Sequence, residues 1–258
     1  MVIEGSIPVL GTAIVNAPHW LYRLYDSIDY PVDHFVVFNN NGRDQITEEI
    51  DSLKEERHPF IKKLHICHLP GNLGCAGAWN MIIKSFLNSP WWLISNHDVA
   101  YCPGFLKAVY EKMLDAKTGL VHGCRGSWDV FAIKDWVVHK YGLFDENLYP
   151  GYCEDSDYGM RFAHDDLKRE MSVGVDYYHG NKIDSYDDGS QTWRSEPGLE
   201  GRIHRAHQMN RQYMHAKWGP NWHSDVEGMP YKTPFNRDFP QFFTTFDLGF
   251  VRDKHLGF

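Results

Sequence analysis

The sequence predicts an α/β fold: a mostly parallel central sheet with helices on both faces, then a C-terminal helix and an aromatic tail. Three observations carry this. As far as Asp98, short apolar runs alternate with amphipathic stretches, the pattern of a parallel sheet covered on both sides. The runs are followed by Asn, Asp or Gly, which break strands and start turns. The chain has 258 residues, 43% of them hydrophobic, which is enough for one large core or a core with an appendage.

Ile7 to Val15, apolar and followed by Asn16, reads as the first buried strand. Leu21 to Ile28 has helical period. HFVVF (34–38) is the second strand and ends in the turn Asn39-Asn40-Asn41-Gly42. Gln45 to Arg57 reads as an exposed amphipathic helix with Ile46, Ile50 and Leu53 inward. Leu64 to Leu69 is the third strand. A Gly-rich turn at 70–77 leads into a helix to about Phe86, and WWLIS (91–95) is the fourth strand. Gly119–Gly123 and Val130–Ile133 read as further strands and Leu199–Trp218 as a long helix. Beyond Gly219 the composition turns to Pro, Trp and Phe. Residues 1–219 are read as one domain, with halves 1–98 and 99–219. Residues 220–258 are read as a tail packed on the body or on a partner subunit, the latter giving a homodimer through Phe239, Phe242, Phe243 and Phe246.

In a parallel sheet, ligands sit beyond the carboxyl ends of the strands. Asn16, the Asn39–Asn41 turn, Asn72–Gly77 and Asn96-His97-Asp98 all follow strands, so they share one sheet edge. That edge is the predicted site.

Composition narrows the function. Net charge is −8 with no basic stripe, which argues against a nucleic-acid partner. No apolar run is long enough to span a bilayer, and no basic residue precedes the first apolar stretch, so it is read as a strand rather than a signal peptide. The five cysteines are scattered, with no Cys-x-x-Cys, so neither a disulfide framework nor a zinc site is expected, and the expected compartment is cytoplasmic.

The segment GLFDENLYPGYCEDSDYGMR (142–161) is acidic, with no cation between Lys140 and Arg161. Crowded carboxylates usually meet a positive group or take a proton. Asp157 and Arg161, at i, i+4, read as a structural ion pair. Asp145 and Glu146 are expected to shape the acceptor approach. Glu154 and Asp155 open a helix running to His164. Capping needs one acid rather than two, which favours a functional pair over a cap. Asp98, at a strand end, suits Mg²⁺ or Mn²⁺ as well as a turn. Asn72 to Asn80 forms a small-residue strand–helix turn that lets backbone approach an anion. His179 ends the run VGVDYYH; a lone His is more often a hydrogen-bonded structural residue than a ligand.

In order, these pieces resemble the family 2 glycosyltransferases of the GT-A fold, rhamnosyltransferase-like, over Ile7 to Gly219. The resemblance rests on Asn72, Gly74, Ala76 and Asn80 in an N-x-G-x-A-x-x-x-N-like run, and on Asn96-His97-Asp98 at the place of a D-x-D. It rests also on Gly142, Phe144, Asp145, Glu146, Glu154, Asp155, Asp157 and Arg161 in G-x-F-D-E…E-D-x-D…R, and on a closing Lys217-Trp218-Gly219. Small size without a membrane segment is similar to soluble enzymes of bacteria and large DNA viruses. The resemblance implies an inverting hexosyl- or pentosyltransferase that uses a nucleotide-diphosphate sugar, UDP-linked first among them, a glycan or other hydroxyl acceptor, and Mn²⁺ or Mg²⁺. It implies Asp98 as metal ligand with His179 as a second, Asn16, Asn40, Asn72, Gly74, Asn80 and Asn96 at the donor, Asp155 as base, and Glu154 positioning base or acceptor. The first acid of the D-x-D is Asn96 here, one carboxylate fewer. Trp193 and Trp222 are candidates to stack on a sugar or to pack against the body. A sugar-nucleotide hydrolase, a nucleotidyltransferase and a non-catalytic carbohydrate- or nucleotide-binding module stand as alternatives.

Overall fold

A computed structural model describes residues 5–42, 46–55, 57–163, 165–183, 189–196, 198–220, 222, 231–237 and 245–254. Four strands, β1 (Ile7–Ile14), β2 (Val32–Asn39), β3 (Ile61–His68) and β4 (Trp91–Ser95), run parallel in the order β3-β2-β1-β4. The sheet continues through β7 (Val130–Lys134), β6 (Thr118–His122) and β8 (Lys168–Glu170). Here the expectation of a mostly parallel sheet needs one amendment: β7 runs antiparallel to both β4 and β6. Its first residue, Val130, pairs with the last residue of β4, Ser95. A second sheet has the order β10-β9-β5, from β5 (Val99–Tyr101), β9 (Tyr177–His179) and β10 (Lys182–Ile183).

The period of two along each strand sorts side chains into two cores. Leu93 and Ala132 face one core, with helices α1 (Pro18–Asp26) and α4 (Phe105–Leu114). Trp92, Ile94, Phe131 and Ile133 face the other, with α3 (Gly74–Ser85), α5 (Asp135–Tyr141) and α6 (Glu154–Arg161). Each such buried Leu, Ile or Phe side chain contributes roughly 1.5–3 kcal/mol of transfer free energy. The helix expected over Gln45–Arg57 is shorter: α2 covers Thr47–Asp51 and a 3₁₀ turn follows at Ser52–Lys54, while Gln45 lies outside the described residues. α6 stops at Arg161 rather than His164, which is also outside them. α7 is Leu199–Trp218, as the sequence suggests, and its Arg205 and Arg211 are exposed.

Two parts of the tail contact α7. Tyr213 stacks on Phe250 of α8 (Leu248–Arg252), ring centroids 5.4 Å apart, and meets Phe235 edge-on at 5.7 Å. Lys254 is buried and donates to Asn147 O and Asn210 Oδ1. Phe246 is half exposed, and Phe239, Phe242 and Phe243 lie outside the described residues. Trp222 is buried with Trp218 and Met214, so it is core rather than a sugar platform. Among the described residues no helix is long and apolar enough to cross a membrane.

Candidate active site

The acidic segment separates into two groups. Asp145 and Asp157 are buried and meet two buried cations. Lys217 Nζ reaches Asp145 Oδ2 at 2.8 Å and Asp157 Oδ1 at 2.5 Å, and Arg161 reaches Asp157 Oδ2 at 2.6 Å. Trp218 Nε1 donates to Asp157 Oδ1 at 2.9 Å and Tyr213 to Asp145 Oδ2 at 2.9 Å. Burial would raise Asp157, but the Lys217 and Arg161 charges outweigh it and hold the carboxyl at about 2. Two acids and two bases neutralise each other, so this quartet is scaffold. Asp145 is thus committed to Lys217 and Tyr213. Glu146 accepts from Asn80 and pairs with Lys84.

Glu154 and Asp155 differ from that group. They open α6 and line a cavity of about 430 Å³. Glu154 is buried and its Oε2 has no hydrogen-bond partner among the described residues. Burial, and then the charge of Asp155, push Glu154 up to about 8. Burial also raises Asp155, against hydrogen bonds donated to its Oδ1 by Ser156 N at 2.6 Å and Ser156 Oγ at 3.2 Å. Burial and the adjacent carboxyl thus favour a proton on Glu154 near neutral pH. The preceding turn is strained: Tyr152 has φ 70° and Cys153 φ 77°, left-handed values uncommon for side-chain-bearing residues.

The same cavity is lined by Asp98 and His179. Their meeting follows from the second sheet. β5 begins at Val99, one residue after Asp98, and Val99 pairs with His179 at the end of β9. Gly180 N–H donates to Asp98 O at 2.8 Å, which closes the corner. His179 Nε2 lies 3.4 Å from Asp98 Oδ1, and its Nδ1 lies 2.9 Å from Asp129 Oδ2. Burial works against the imidazolium, but the bonds to Asp129 and Asp98 outweigh it and lift His179 to about 10. Burial likewise opposes the Asp98 carboxylate, and His179, the His97 charge and the Gln191 N–H, 2.6 Å from Oδ2, bring it down to about 2.

Asp98 Oδ1 and His179 Nε2 are both buried, 3.4 Å apart, and neither has another partner among the described residues. One oxygen and one imidazole nitrogen, facing each other, are a fitting pair of ligands for a small divalent cation. Asp129 on the far ring nitrogen fixes the His179 ring, as an outer carboxylate would if that histidine held a metal. Among the described residues no group of three or more His, Cys, Asp or Glu is placed to hold a metal.

The asparagines expected at the donor divide as well. Asn40, Asn72, Gly74 and Asn96 line the cavity. Asn40 is committed to the turn: its Nδ2 reaches Asn72 Oδ1 and Gly74 O, each at 3.3 Å, and its Oδ1 accepts from Leu73 N at 2.8 Å. Gly74 has φ +72°, and a Cβ there would meet Tyr149 at 2.8 Å and Pro150 O at 2.9 Å, so only glycine fits. Asn16 lies beside the cavity rather than in its lining; its Nδ2 donates to Thr192 O at 2.8 Å. Asn80 is buried away from the lining and exchanges hydrogen bonds with the backbone N–H and carbonyl of Phe144, both at 2.9 Å.

Asp129 and Tyr152 line the cavity without having been named as site residues from sequence, and His97, which also lines it, was named only as the middle of Asn96-His97-Asp98. Burial lowers His97, which hydrogen-bonds the Asn16 backbone and leaves Nε2 unpartnered among the described residues. An acid directly before the apolar run VFAIK was the available signal for Asp129.

The fold and this site define a GT-A glycosyltransferase. The model of glycosyl transferase family 2 matches residues 12–188, and the chain belongs to that family. It is similar to a galactofuranosyl glycosyltransferase of Leishmania donovani, 22% identical over 300 residues that cover 84% of this chain and 68% of the relative. Among solved structures it resembles GalNAc-T7 bound to UDP, GalNAc and Mn²⁺, with a TM-score of 0.60 and 8% identity over 85% of this chain and 49% of that one. It also resembles S. aureus TarS bound to UDP-GlcNAc, with a TM-score of 0.53 and 12% identity over 85% of this chain and 76% of that one. Against a further TarS structure the chain spans 36% of the other protein's length. At these identities the structural likeness shows the fold.

Proposed function

We propose that this chain is an inverting glycosyltransferase that moves a sugar from a nucleotide-diphosphate donor, UDP-linked in the first instance, to a hydroxyl of a glycan. The observation that supports it is one cavity lined both by the Asp98–His179 pair and by the Glu154–Asp155 pair. Solved neighbours that bind UDP with Mn²⁺, or UDP-GlcNAc, support the donor class. On this reading residues 1–219 are the transferase domain and 220–258 its tail.

Asp98 and His179 would hold Mn²⁺ or Mg²⁺, which supplies positive charge against the diphosphate as the leaving oxygen becomes negative. Asn72, Gly74 and Asn96 line the space for the donor. Asp155 accepts the proton of the acceptor hydroxyl as its oxygen bonds the anomeric carbon. The bond from that carbon to the diphosphate oxygen breaks, and its electron pair leaves with the diphosphate. Attack opposite the leaving group inverts the centre. Glu154, carrying a proton at neutral pH, donates a hydrogen bond into the cavity.

The test is a panel of UDP-, GDP- and dTDP-sugars with and without Mn²⁺, read by thermal shift and by slow donor hydrolysis. One nucleotide sugar should stabilise the protein in a Mn²⁺-dependent way, and Asp98→Ala should abolish that dependence. Asp155→Asn should bind the donor but lose transfer by a hundredfold or more. A panel with no shift and no hydrolysis sinks the reading; transfer retained in Asp155→Asn removes the base.

A further inference from the structure

The described end of the tail, residues 245–254, buries little apolar surface and is held by polar contacts instead. α8 has no buried residue, and its Leu248 is 55% exposed. Asn147, itself buried, accepts from the Asp247 N–H at 2.5 Å and donates to Thr245 O at 2.9 Å. Lys254 Nζ donates to the Asn147 carbonyl as well. The same ammonium lies over the Phe250 ring, 3.7 Å from its centroid, and Phe250 stacks on Tyr213 of α7. One lysine thus ties the tail to the loop before α6 and, at Asn210, to α7.

Burial is hard on this cation. It outweighs the attraction of Asp145 and Asp247 and brings Lys254 down to about 7. A methionine would fill the place without that penalty. What the ammonium supplies is a direction, because it has three donors and no acceptor. It can face only the oxygen of the Asn210 amide, which turns the NH₂ end toward the carbonyls of Gly151 and Tyr152. Tyr152 and Cys153, with φ 70° and 77°, keep such values only while the surroundings fix them. On the other side, the turn is held by the Cys75 N–H on Pro150 O at 2.7 Å. Glu154 and Asp155 follow the turn directly, whereas Lys254, Asn147 and Asn210 do not line the cavity.

Resting on the transferase reading above, we propose that Lys254 is a positioning residue through which the tail aims the Glu154–Asp155 pair. It acts through Asn210 and the turn at 151–153, and it touches neither donor nor acceptor. Release of α8 from Asn147 frees the amide of Asn210, lets the turn relax, and costs turnover rather than donor binding.

The experiment uses the whole chain at pH 6, where Lys254 keeps its proton, with Mn²⁺ and the nucleotide sugar that binds in the donor panel. Donor hydrolysis, with water as acceptor, is the assay. In Lys254→Met, kcat should fall about tenfold or more while donor KM stays within about twofold, the mark of lost aim rather than lost binding. Asn210→Ala should do the same, and the double variant should fall no further, since both act on one turn. Amide exchange supplies a readout that needs no activity. The Cys75 N–H, bonded to Pro150 O, should exchange about tenfold or more faster in Lys254→Met, while the Val37 N–H inside the sheet keeps its native rate. Asp247→Ala, an exposed change that removes the α8 cap, should move both readouts the same way by less, and it replaces Lys254→Met if that variant does not fold. Native kcat in the variant, a donor KM that rises as much as kcat falls, multiplied losses in the double variant, or equal acceleration at Cys75 and Val37 each overturn the proposal. Where the native chain shows no hydrolysis, Cys75 exchange decides the proposal alone. Where it also binds no nucleotide sugar, the transferase reading fails, so the two failures are distinguishable.

Discussion

Asn210 Nδ2 donates to the carbonyl oxygen of Tyr152 at 3.0 Å and also to that of Gly151 at 2.9 Å. Lys254 Nζ donates to the other end of the same amide, Asn210 Oδ1, at 2.7 Å. A lysine has no acceptor, so it fixes the amide with its NH₂ toward the turn that precedes Glu154. Asn210→Ala should cost roughly 1–3 kcal/mol by leaving buried carbonyls unsatisfied, measured by urea unfolding. Asn210→Asp, which sets a carboxylate against two carbonyls, should be worse than alanine. An aspartate variant as stable as the native chain would show that the amide does not hold the turn.

Asp129 should matter to cation binding without touching the cation. Asp129→Asn keeps the shape but removes the charge that fixes the His179 ring 2.9 Å away. Mn²⁺ affinity, followed by titration in the presence of nucleotide, should fall about 10–100-fold. Unchanged affinity would place His179 outside the cation site.

Glu154 makes stability depend on pH in a defined direction. Its folded value is raised to about 8 from 4.5, so the folded chain keeps a proton that the unfolded chain releases. Its contribution is therefore fully present below 4.5 and is lost as pH rises through 8. Glu154→Gln cannot ionise, so it should escape this loss and exceed the native chain by roughly 2–4 kcal/mol at pH 8.5, with a smaller gap at pH 5.5. Urea midpoints at the two pH values check this; a constant gap would mean that Glu154 titrates normally.

Lys217→Met should leave Asp145 and Asp157 short of one buried counter-charge and cost roughly 3–5 kcal/mol. A loss below about 1 kcal/mol would show that water reaches the quartet and screens it as it does a surface pair.

Much of this was legible from sequence because period and punctuation report local physics. β4 and α7 have the limits the sequence suggests, since a five-residue apolar run and a Gly after Trp218 are unambiguous stops. The split within the acidic segment was half legible: Asp157 and Arg161 announce themselves at i, i+4, whereas the Lys217 partner is sixty residues away. Asp129 escaped because the search followed the carboxyl ends of strands. β7 runs the other way, so its amino end reaches the same edge, where Asn96 N–H bonds Asp129 O at 2.7 Å. Asn80 shows the opposite error: its place in a motif says nothing about which way α3 turns it, and it turns toward Phe144.

The two left-handed residues before α6 carry a further consequence. Glycine would adopt φ 70° and φ 77° without strain, yet Tyr152 lends its ring to the cavity wall and Cys153 lies in the core with Trp218. The chain keeps both side chains and accepts a turn costing on the order of 1–3 kcal/mol per residue. That places resilience and chemistry in opposition at one point: a variant relaxed here would tolerate heat better while aiming its carboxylates less well. A thermostable form selected without regard to activity would be expected to change at these two positions early.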